Sequence, residues 1–170
     1  MMNDKYFFDV INERFSCRSF KENKISDDEL NKLLEAARLA PTACNFQPQK
    51  IYVVEDSKLL DELKAATRFL FDAKTVLCVC HDKNESWKRR SDNKDHGTID
   101  ATIAATQIAL CATSMGLGTC FVCAFKDEIV RNVLEIPENY EVLCLLPVGY
   151  PKEIKPHNER KDIKDFVIYR

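Results

Sequence analysis

The sequence lacks an excess of either charge. Its 170 residues include 25 lysines and arginines and 27 aspartates and glutamates, mixed along the chain, for a formal net charge of -2. A protein that covers nucleic acid needs a broad basic face, and the mixed charges predict none. We therefore expect no nucleic-acid partner, and any anionic ligand should bind at a small local site.

Two common nucleotide-binding fingerprints are also missing. Gly116 and Gly118 are not followed by a third glycine, because Phe121 stands at that position, and no GK[ST] loop occurs. Both fingerprints depend on these residues to bring backbone N–H groups or a lysine to a phosphate. The sequence therefore excludes the dinucleotide-binding and P-loop motifs.

The chain shows neither a signal peptide nor the spacing of a metal site. Its first ten residues, MMNDKYFFDV, are too polar for a signal peptide, so the eight cysteines are expected as reduced thiols in a cytoplasmic protein. Cys120 and Cys123 should point to opposite faces of an extended segment, and no second CxxC pair is present. The three histidines, His81, His96 and His157, are too scattered to bind a metal and are predicted to lie at the surface.

The most distinctive feature present is an uncharged stretch at 101–125, ATIAATQIALCATSMGLGTCFVCAF. Small and large apolar residues alternate in it without a consistently polar face, which predicts a central helix buried on all sides. Asp100 suits the positive end of that helix, and Gly116 and Gly118 should end it before an extended segment. We exclude a membrane span because threonines and Gln107 dilute the run and the glycines shorten the helix.

The remaining elements predict one domain over residues 1–170, with no repeat, low-complexity tract or linker. An amphipathic helix at 4–14 and a helix opened by the SDDE capping box at 26–29 come first. Strands are predicted at 50–54, 75–80 and 142–148, helices at 57–67 and 126–136, and a strand-like tip, FVIY, near the C-terminus. That tip would need a sheet edge of its own chain or of a partner.

Two polar segments are candidates for function. Arg14, Ser16 and Arg18 recur at every second residue, so an extended chain would present two guanidinium groups and a hydroxyl on one face. That face suits a phosphate, although a solvated basic strand would have the same pattern. The polar stretch 81–96, with Trp87 beside basic residues 88–90, is either a solvated surface loop or a lid over a ligand.

Five short motifs follow one another along the chain: RFSCRSF at 14–20, AARLAPTACNFQPQKIYVV at 36–54, MGLGTCFV at 115–122, PVGYP at 147–151 and ERK at 159–161. In this order they resemble the nitroreductase family of FMN-dependent oxidoreductases over nearly the whole chain. The resemblance implies an α+β fold with a mixed central sheet flanked by helices. It also implies a homodimer that exchanges terminal segments and binds FMN at its interface, with NADH or NADPH as the reductant.

The resemblance implies three groups of cofactor-binding residues. Those that hold the FMN phosphate and ribityl chain are Arg14, Phe15, Ser16 and Arg18, completed by Arg160 and Lys161 of the tail. Those on a loop that reaches the flavin of the other protomer are Thr42, Asn45 and Gln47. Those that lie along the isoalloxazine ring are Phe121, Val122, Cys123 and Ala124. Residues 66–69 lack the polar flavin contacts that some relatives have there.

The expected reaction is a ping-pong transfer from NAD(P)H to small electron-poor acceptors such as nitroaromatics or quinones. No catalytic side chain is predicted, because a flavin itself carries out hydride chemistry. Two alternatives stay open: a flavin-binding module for sensing or storage with little turnover, and a specialised reductive enzyme such as a dehalogenase.

Overall fold

Five α-helices and four strands make up the described chain. The computed structural model describes residues 4–155 and 159–170, so the prediction for His157 lies outside the described residues. The helices are α1 (Asp4–Glu13), α2 (Asp27–Arg38), α3 (Ser57–Leu63), α4 (Gly97–Ser114) and α5 (Asp127–Leu134). The strands are β1 (Gln49–Val54), β2 (Thr75–Asp82), β3 (Gly118–Thr119) and β4 (Tyr140–Gly149), and short 3-10 helices occupy Ala43–Asn45 and Ile163–Asp165.

The four strands form one sheet in the order β1-β2-β4-β3. All three pairings between these strands are antiparallel, and the register of β2 with β4 runs from Thr75 opposite Val148 to Asp82 opposite Tyr140. A bulge between Val79 and Cys80 interrupts it. An isolated bridge between Ser16 and Thr119 adds a parallel contact at the far edge. The arrangement is α+β, as predicted.

Hydrophobic cores cover both faces of the sheet. Successive residues of a strand point to opposite faces. Cys78 therefore packs in the cluster with Leu63 of α3 and Val130 of α5, while Leu77 packs in the other cluster with Ile108 of α4. Burial of an aliphatic side chain such as Leu63 or Ile108 contributes roughly 2 kcal/mol to the stability of the fold. All eight residues of β2 are buried as a result.

The predicted capping box of α2 is confirmed. The Ser26 hydroxyl accepts a hydrogen bond from the Glu29 N–H at 3.2 Å, and a Glu29 carboxylate oxygen accepts one from the Ser26 N–H at 2.8 Å. The same carboxylate accepts a 2.8 Å hydrogen bond from the hydroxyl of Tyr150. The cap therefore also connects α2 to Tyr150, the residue that follows β4.

Helix α4 is not buried on all sides, so that prediction is wrong for this chain. The helix begins at Gly97, one turn before the uncharged stretch, and Gly116 follows its end with a left-handed φ of 74°. Residues such as Ala104 and Ile108 are fully buried, but Ile99 is 50% exposed and Thr102 and Thr106 also face solvent. No charged residue marks this exposed face, which is why the sequence pattern did not reveal it.

The strand-like tip predicted at the C-terminus finds no sheet edge among the described residues of its own chain, and its pairing with a partner's edge stays a prediction. Residues 166–170 follow the 3-10 helix at Ile163–Asp165 and pair with no strand in the described part of the chain. Ile168 is 79% exposed and Tyr169 is 89% exposed. An apolar tip supplies the composition of a strand, but pairing requires an edge that this chain does not offer it.

Among residues 4–155 and 159–170, none of the helices combines the length and hydropathy needed to span a bilayer.

Candidate functional site

The N-terminal segment 14–20 runs beside the segment that follows α4. The N–H of Cys17 donates to the carbonyl of Thr119 at 2.9 Å, next to the Ser16–Thr119 bridge. Cys17 is buried, whereas Ser16 and Arg18 on either side of it are exposed. The alternation predicted from the sequence is therefore present, and it directs Ser16 and Arg18 outward together.

Arg14, Ser16 and Arg18 all act on one thiol, that of Cys120. Burial raises the pKa of this thiol, and the charge of Arg18, the hydroxyl of Ser16 and the charge of Arg14 oppose the rise. Neither arginine has a carboxylate within 4 Å among the described residues. The two positive charges and the hydroxyl therefore act on the same end of the segment 120–124, and no acidic side chain of the described chain neutralises the guanidinium groups.

A pocket of about 180 Å³ connects Arg18 with the segment 120–124. Its lining is Arg18, Phe69, Phe71 and residues Cys120, Phe121, Val122, Cys123 and Ala124. Ligand pockets commonly measure roughly 300–1,000 Å³, so this protomer encloses only part of such a site. Arg18 is therefore the one member of the first group that lines this pocket, together with all four residues of the third group, and the pocket needs a further wall.

The segment that lines this pocket contains free backbone donors. Val122 exchanges two hydrogen bonds with Leu145 of β4, at 2.9 and 3.0 Å, and so fixes the segment to the sheet. Its neighbours Cys123 and Ala124 are exposed, and the described residues supply no acceptor for their N–H groups. Because exposed N–H groups beside an apolar wall suit the polar edge of a planar ligand, these two N–H groups are candidate donors to a bound group.

Sequence reasoning missed the aromatic wall of the pocket. The rings of Phe69 and Phe71 lie 6.1 Å apart, and the guanidinium of Arg68 lies 5.0 Å from the centre of the Phe69 ring. Phe71 has a left-handed φ of 53°, a conformation that costs a residue with a side chain about 1–2 kcal/mol. The hydroxyl of Thr67 donates to the carbonyl of Ala124 at 2.8 Å and joins the two walls. The sequence RFLF at 68–71 could have indicated this wall, because its two phenylalanines are spaced by two positions.

Thr42, Asn45 and Gln47 lie on a separate loop, which is Pro41–Pro48 and contributes no residue to the pocket lining. Within it, the N–H of Gln47 donates to the hydroxyl of Thr42 at 3.0 Å, and the Gln47 amide donates to the carbonyl of Asn45 at 3.1 Å. Asn45 and Gln47 have left-handed φ values of 57° and 53°, and so does Cys44 at 51°. Each such residue costs on the order of 1–2 kcal/mol, so the loop is held in a strained shape.

Arg160 and Lys161 lie in the tail and line an open depression of about 400 Å³. The other lining residues are acidic and belong to the same segment: Glu159, Asp162 and Asp165. The structure does not bring this basic pair to Arg18 or to the pocket at 120–124. The tail of this protomer therefore does not complete the pocket of the same protomer.

Most side chains of the polar stretch 81–96 are exposed, as in a solvated surface loop, but the surface location predicted for His81 is wrong. His81 is 1% exposed because it lies in β2, which is covered on both faces. Its Nε2 lies 3.8 Å from Asp95, which accepts a 2.6 Å hydrogen bond from the Ser86 hydroxyl and a 2.7 Å hydrogen bond from the Gly97 N–H. Burial acts to raise the pKa of Asp95, but these hydrogen bonds lower it overall.

Trp87 and Arg89 belong to the same stretch. The ring of Trp87 packs edge-on against half-buried His96 at 4.9 Å, and Arg89 pairs with Asp92. One residue of the basic run at 88–90 is therefore paired with an acidic residue of the same stretch.

All eight cysteines are free thiols. Cys120 is 6% exposed and Cys123 is exposed, so the two side chains do point to opposite faces as predicted. The sulfurs of Cys78 and Cys80 are 3.8 Å apart on one face of β2. In the ranges that the structure describes, no three histidine, cysteine or acidic side chains are grouped so that they could hold a metal ion.

Comparison with known proteins gives a consistent result. Residues 11–68 and 65–150 match the sequence model described as the Nitroreductase family. A protein from Archaeoglobus fulgidus, provisionally named NADH dehydrogenase/NAD(P)H nitroreductase, is 33% identical over 160 residues, which cover 90% of each chain.

Solved structures share the fold. The crystal structure of a nitroreductase family protein from Clostridium difficile 630 is 32% identical, with a TM-score of 0.89 over 94% of this chain and 95% of that one. A structure titled FMN-dependent nitroreductase, from Clostridium difficile R20291, is 28% identical, with a TM-score of 0.80 over 94% and 96% of the two chains. The likeness therefore extends over the sheet, the helices and the pocket segments together.

Proposed function

The chain belongs to the nitroreductase family, and on that basis we propose that it is an FMN-dependent oxidoreductase. NADH or NADPH is the reductant, and small electron-poor acceptors such as nitroaromatics or quinones are reduced in a ping-pong cycle. The enzyme is of the NAD(P)H nitroreductase type, as its relatives are named. Residues 1–170 act as one FMN-binding domain.

The observation that carries the proposal is the presence of Arg18, which has no carboxylate partner among the described residues, in one pocket with a segment whose backbone N–H groups are free. Arg14, Ser16 and Arg18 would hold the dianionic phosphate of FMN and the adjoining ribityl chain, because guanidinium groups match phosphate oxygens. The segment 121–124 would lie along the ring, with the N–H groups of Cys123 and Ala124 as donors. The residues present therefore fit the cofactor at both its charged and its planar end.

The chain itself binds and orients, and FMN supplies the hydride chemistry when bound. No carboxylate or histidine lines the pocket among the described residues. Phe69 and Phe71 provide an apolar wall that excludes water and suits planar acceptors. A single pocket that nicotinamide and acceptor occupy in turn fits a ping-pong order.

A second copy of the chain supplies the missing wall. Thr42, Asn45 and Gln47 lie away from the pocket of their own protomer, as expected for residues that serve the FMN of the partner. Arg160 and Lys161 likewise lie in the tail. Exchange of this tail between protomers would bring the two residues to an FMN phosphate.

Exposed apolar residues support the same homodimer. On α1, Tyr6 is 73% exposed, Phe7 52% and Phe8 61%, and Ile99 on α4 is 50% exposed. Apolar patches of this kind mark surfaces at which proteins associate.

A visible absorption spectrum tests the proposal. We expect the purified protein to carry a yellow chromophore, identified as FMN after release, that bleaches when NADH or NADPH is added without oxygen. Addition of a quinone should then restore the oxidised spectrum. A protein that stays colourless when FMN is added would contradict the proposal, and bound FMN that neither nicotinamide reduces would show a flavin-binding module without reductase activity.

A further inference from the structure

We propose that Asp100 is a positioning residue for the cofactor site, because it fixes the loop Pro41–Pro48 from inside α4. This inference rests on the proposed function, which assigns Thr42, Asn45 and Gln47 of that loop to the FMN of the partner. Sequence reasoning placed Asp100 only at the positive end of the helix.

The loop needs anchors because its shape is strained. Cys44, Asn45 and Gln47 all have left-handed φ values, and none of them is glycine. Its internal hydrogen bonds, such as that from the Gln47 N–H to the Thr42 hydroxyl, join residues at most five apart. Such local bonds hold the turn together but do not fix its place on the protein.

Two hydrogen bonds attach the loop to the rest of the described chain, one near each end. At the exit, the carbonyl of Pro48 accepts a 2.9 Å hydrogen bond from the N–H of Asp82 at the end of β2. At the entry, the N–H of Ala43 donates to Oδ1 of Asp100 at 2.9 Å. Asp100 is thus the sole side chain from outside the loop that bonds to it among the residues described.

The Asp100 carboxylate makes few other polar contacts. It is 2% exposed, forms no ion pair with the described chain, and its Oδ2 is buried without a hydrogen-bond donor from those same residues. It does not cap its own helix, because the carboxylate of Asp95 accepts the hydrogen bond from Gly97.

Burial of a carboxylate with so few donors is costly. The helix dipole offsets part of this cost, but the dipole alone would favour an exposed acidic residue just as well. The hydrogen bond from the Ala43 N–H is the specific contact that the buried position of Asp100 makes possible.

Two single substitutions remove this bond from opposite sides. Asp100→Ala removes the acceptor, and Ala43→Pro removes the donor without touching the buried carboxylate. The preceding residue, Thr42, is already extended at φ -131° and ψ 157°, which suits a position before proline. Ala43→Pro therefore keeps the test open if Asp100→Ala does not fold. Asp100→Asn serves as the conservative variant, because its amide oxygen still accepts the hydrogen bond.

FMN dissociation constants, measured on folded protein by fluorescence titration, provide the first readout. We expect each disruptive variant to weaken FMN binding at least tenfold and the double variant to be no worse than either single one. Asp100→Asn should stay within threefold of the wild type. Asp95→Asn, which removes the other carboxylate at the start of α4, should lower the melting temperature and leave FMN affinity unchanged.

Hydrogen exchange at the Ala43 amide provides a second readout that needs no cofactor. Protection in the wild type that is lost in Asp100→Ala supports the anchoring bond even if the wild type binds no FMN, an outcome that would overturn the proposed function alone. Wild-type FMN affinity in both disruptive variants would overturn the inference. Equal losses in Asp95→Asn and Asp100→Ala would also overturn it, because general destabilisation would then explain both.

Discussion

The guanidinium of Arg18 lies at the rim of the pocket without a carboxylate partner in the described chain. We expect Arg18→Ala to raise the dissociation constant of FMN at least tenfold, about 1.4 kcal/mol, because a charge-assisted contact to phosphate is lost. Flavin fluorescence quenching measures this constant directly. Arg38→Ala is the matched control, since Arg38 pairs with Glu35 on the exposed side of α2. An Arg18→Ala protein with unchanged affinity would remove Arg18 from the phosphate site.

The thiols of Cys123 and Cys144 differ sharply in accessibility. Cys123 is exposed in the pocket, whereas burial, reinforced by Cys123 and Cys80, raises the pKa of Cys144 to about 12. Because the thiolate is the reactive form, iodoacetamide at pH 8 should modify Cys123 in the apoprotein and leave Cys144 unmodified until the protein is unfolded.

Peptide mass spectrometry of the labelled protein distinguishes these two sites. Bound FMN should slow the labelling of Cys123 by at least about tenfold, because the pocket is then covered. Labelling at equal rates with and without FMN would show that the cofactor lies elsewhere.

The direction and burial of individual side chains were predictable where they depend on neighbouring residues in the sequence. The outward direction of Ser16 and Arg18 follows from strand alternation over three residues. The burial of His81 does not, because it depends on a strand covered by helices from both sides. The Ala43–Asp100 hydrogen bond joins residues 57 positions apart, so no pattern in either segment announces it.

At the scale of elements, the start of α2 couples stability to pH through Glu29. Hydrogen bonds from the Ser26 N–H, the Tyr150 hydroxyl and the Ser26 hydroxyl hold the pKa of Glu29 below its ordinary value of 4.5. A group with a depressed pKa in the folded state stabilises the fold above its unfolded pKa, and this contribution is lost as pH falls through the folded pKa. Glu29 should therefore stabilise the protein more at pH 7 than at pH 3.

Urea unfolding at the two pH values checks this linkage. Between pH 7 and pH 3 the wild type should lose about 0.5–1 kcal/mol more unfolding free energy than Glu29→Gln, the size of a solvent-screened hydrogen bond to a carboxylate. Glu138→Gln is the control, since that exposed carboxyl forms no hydrogen bond with the described residues. Equal losses in wild type and Glu29→Gln would show that the cap carries no pH dependence.

Elements with a local signature were predicted well, and those that depend on distant partners were not. The capping box and the branched residues of β1, β2 and β4 identify their own helix and strands. Helix α4 begins at Gly97, whose N–H donates to the carboxylate of Asp95, and the polar composition of the stretch before the uncharged run did not indicate this start. The tail has a strand composition but no edge within the described chain, so composition alone does not decide where it pairs.

At the scale of the whole molecule, the exposed apolar residues of α1 and α4 lead to a test of the homodimer. We expect the wild type to sediment with the mass of two chains. Phe8→Glu should sediment as a monomer and release FMN, because Phe8 is 61% exposed in one protomer and a charge there opposes burial at an interface. Analytical ultracentrifugation followed at both the protein and the flavin absorbance reports mass and bound cofactor together.

A charge reversal far from that face is the control for this experiment. Lys58→Glu on α3, whose side chain is 85% exposed, should leave both the mass and the bound flavin unchanged. A Phe8→Glu monomer that retains FMN would contradict the shared site.

The pairing of β2 with β4 has a consequence for how the protein is made. The eight residues of β2 bury completely, yet their partner strand at Tyr140–Gly149 comes about 60 residues later in the chain. At roughly 5–20 residues per second, a ribosome needs several seconds to synthesise that stretch. During this interval β1 can already pair with one edge of β2, but the other edge of this apolar strand stays unpaired. Completion of the sheet must therefore wait for nearly the whole of translation, and β2 is the segment that chaperones would protect until then.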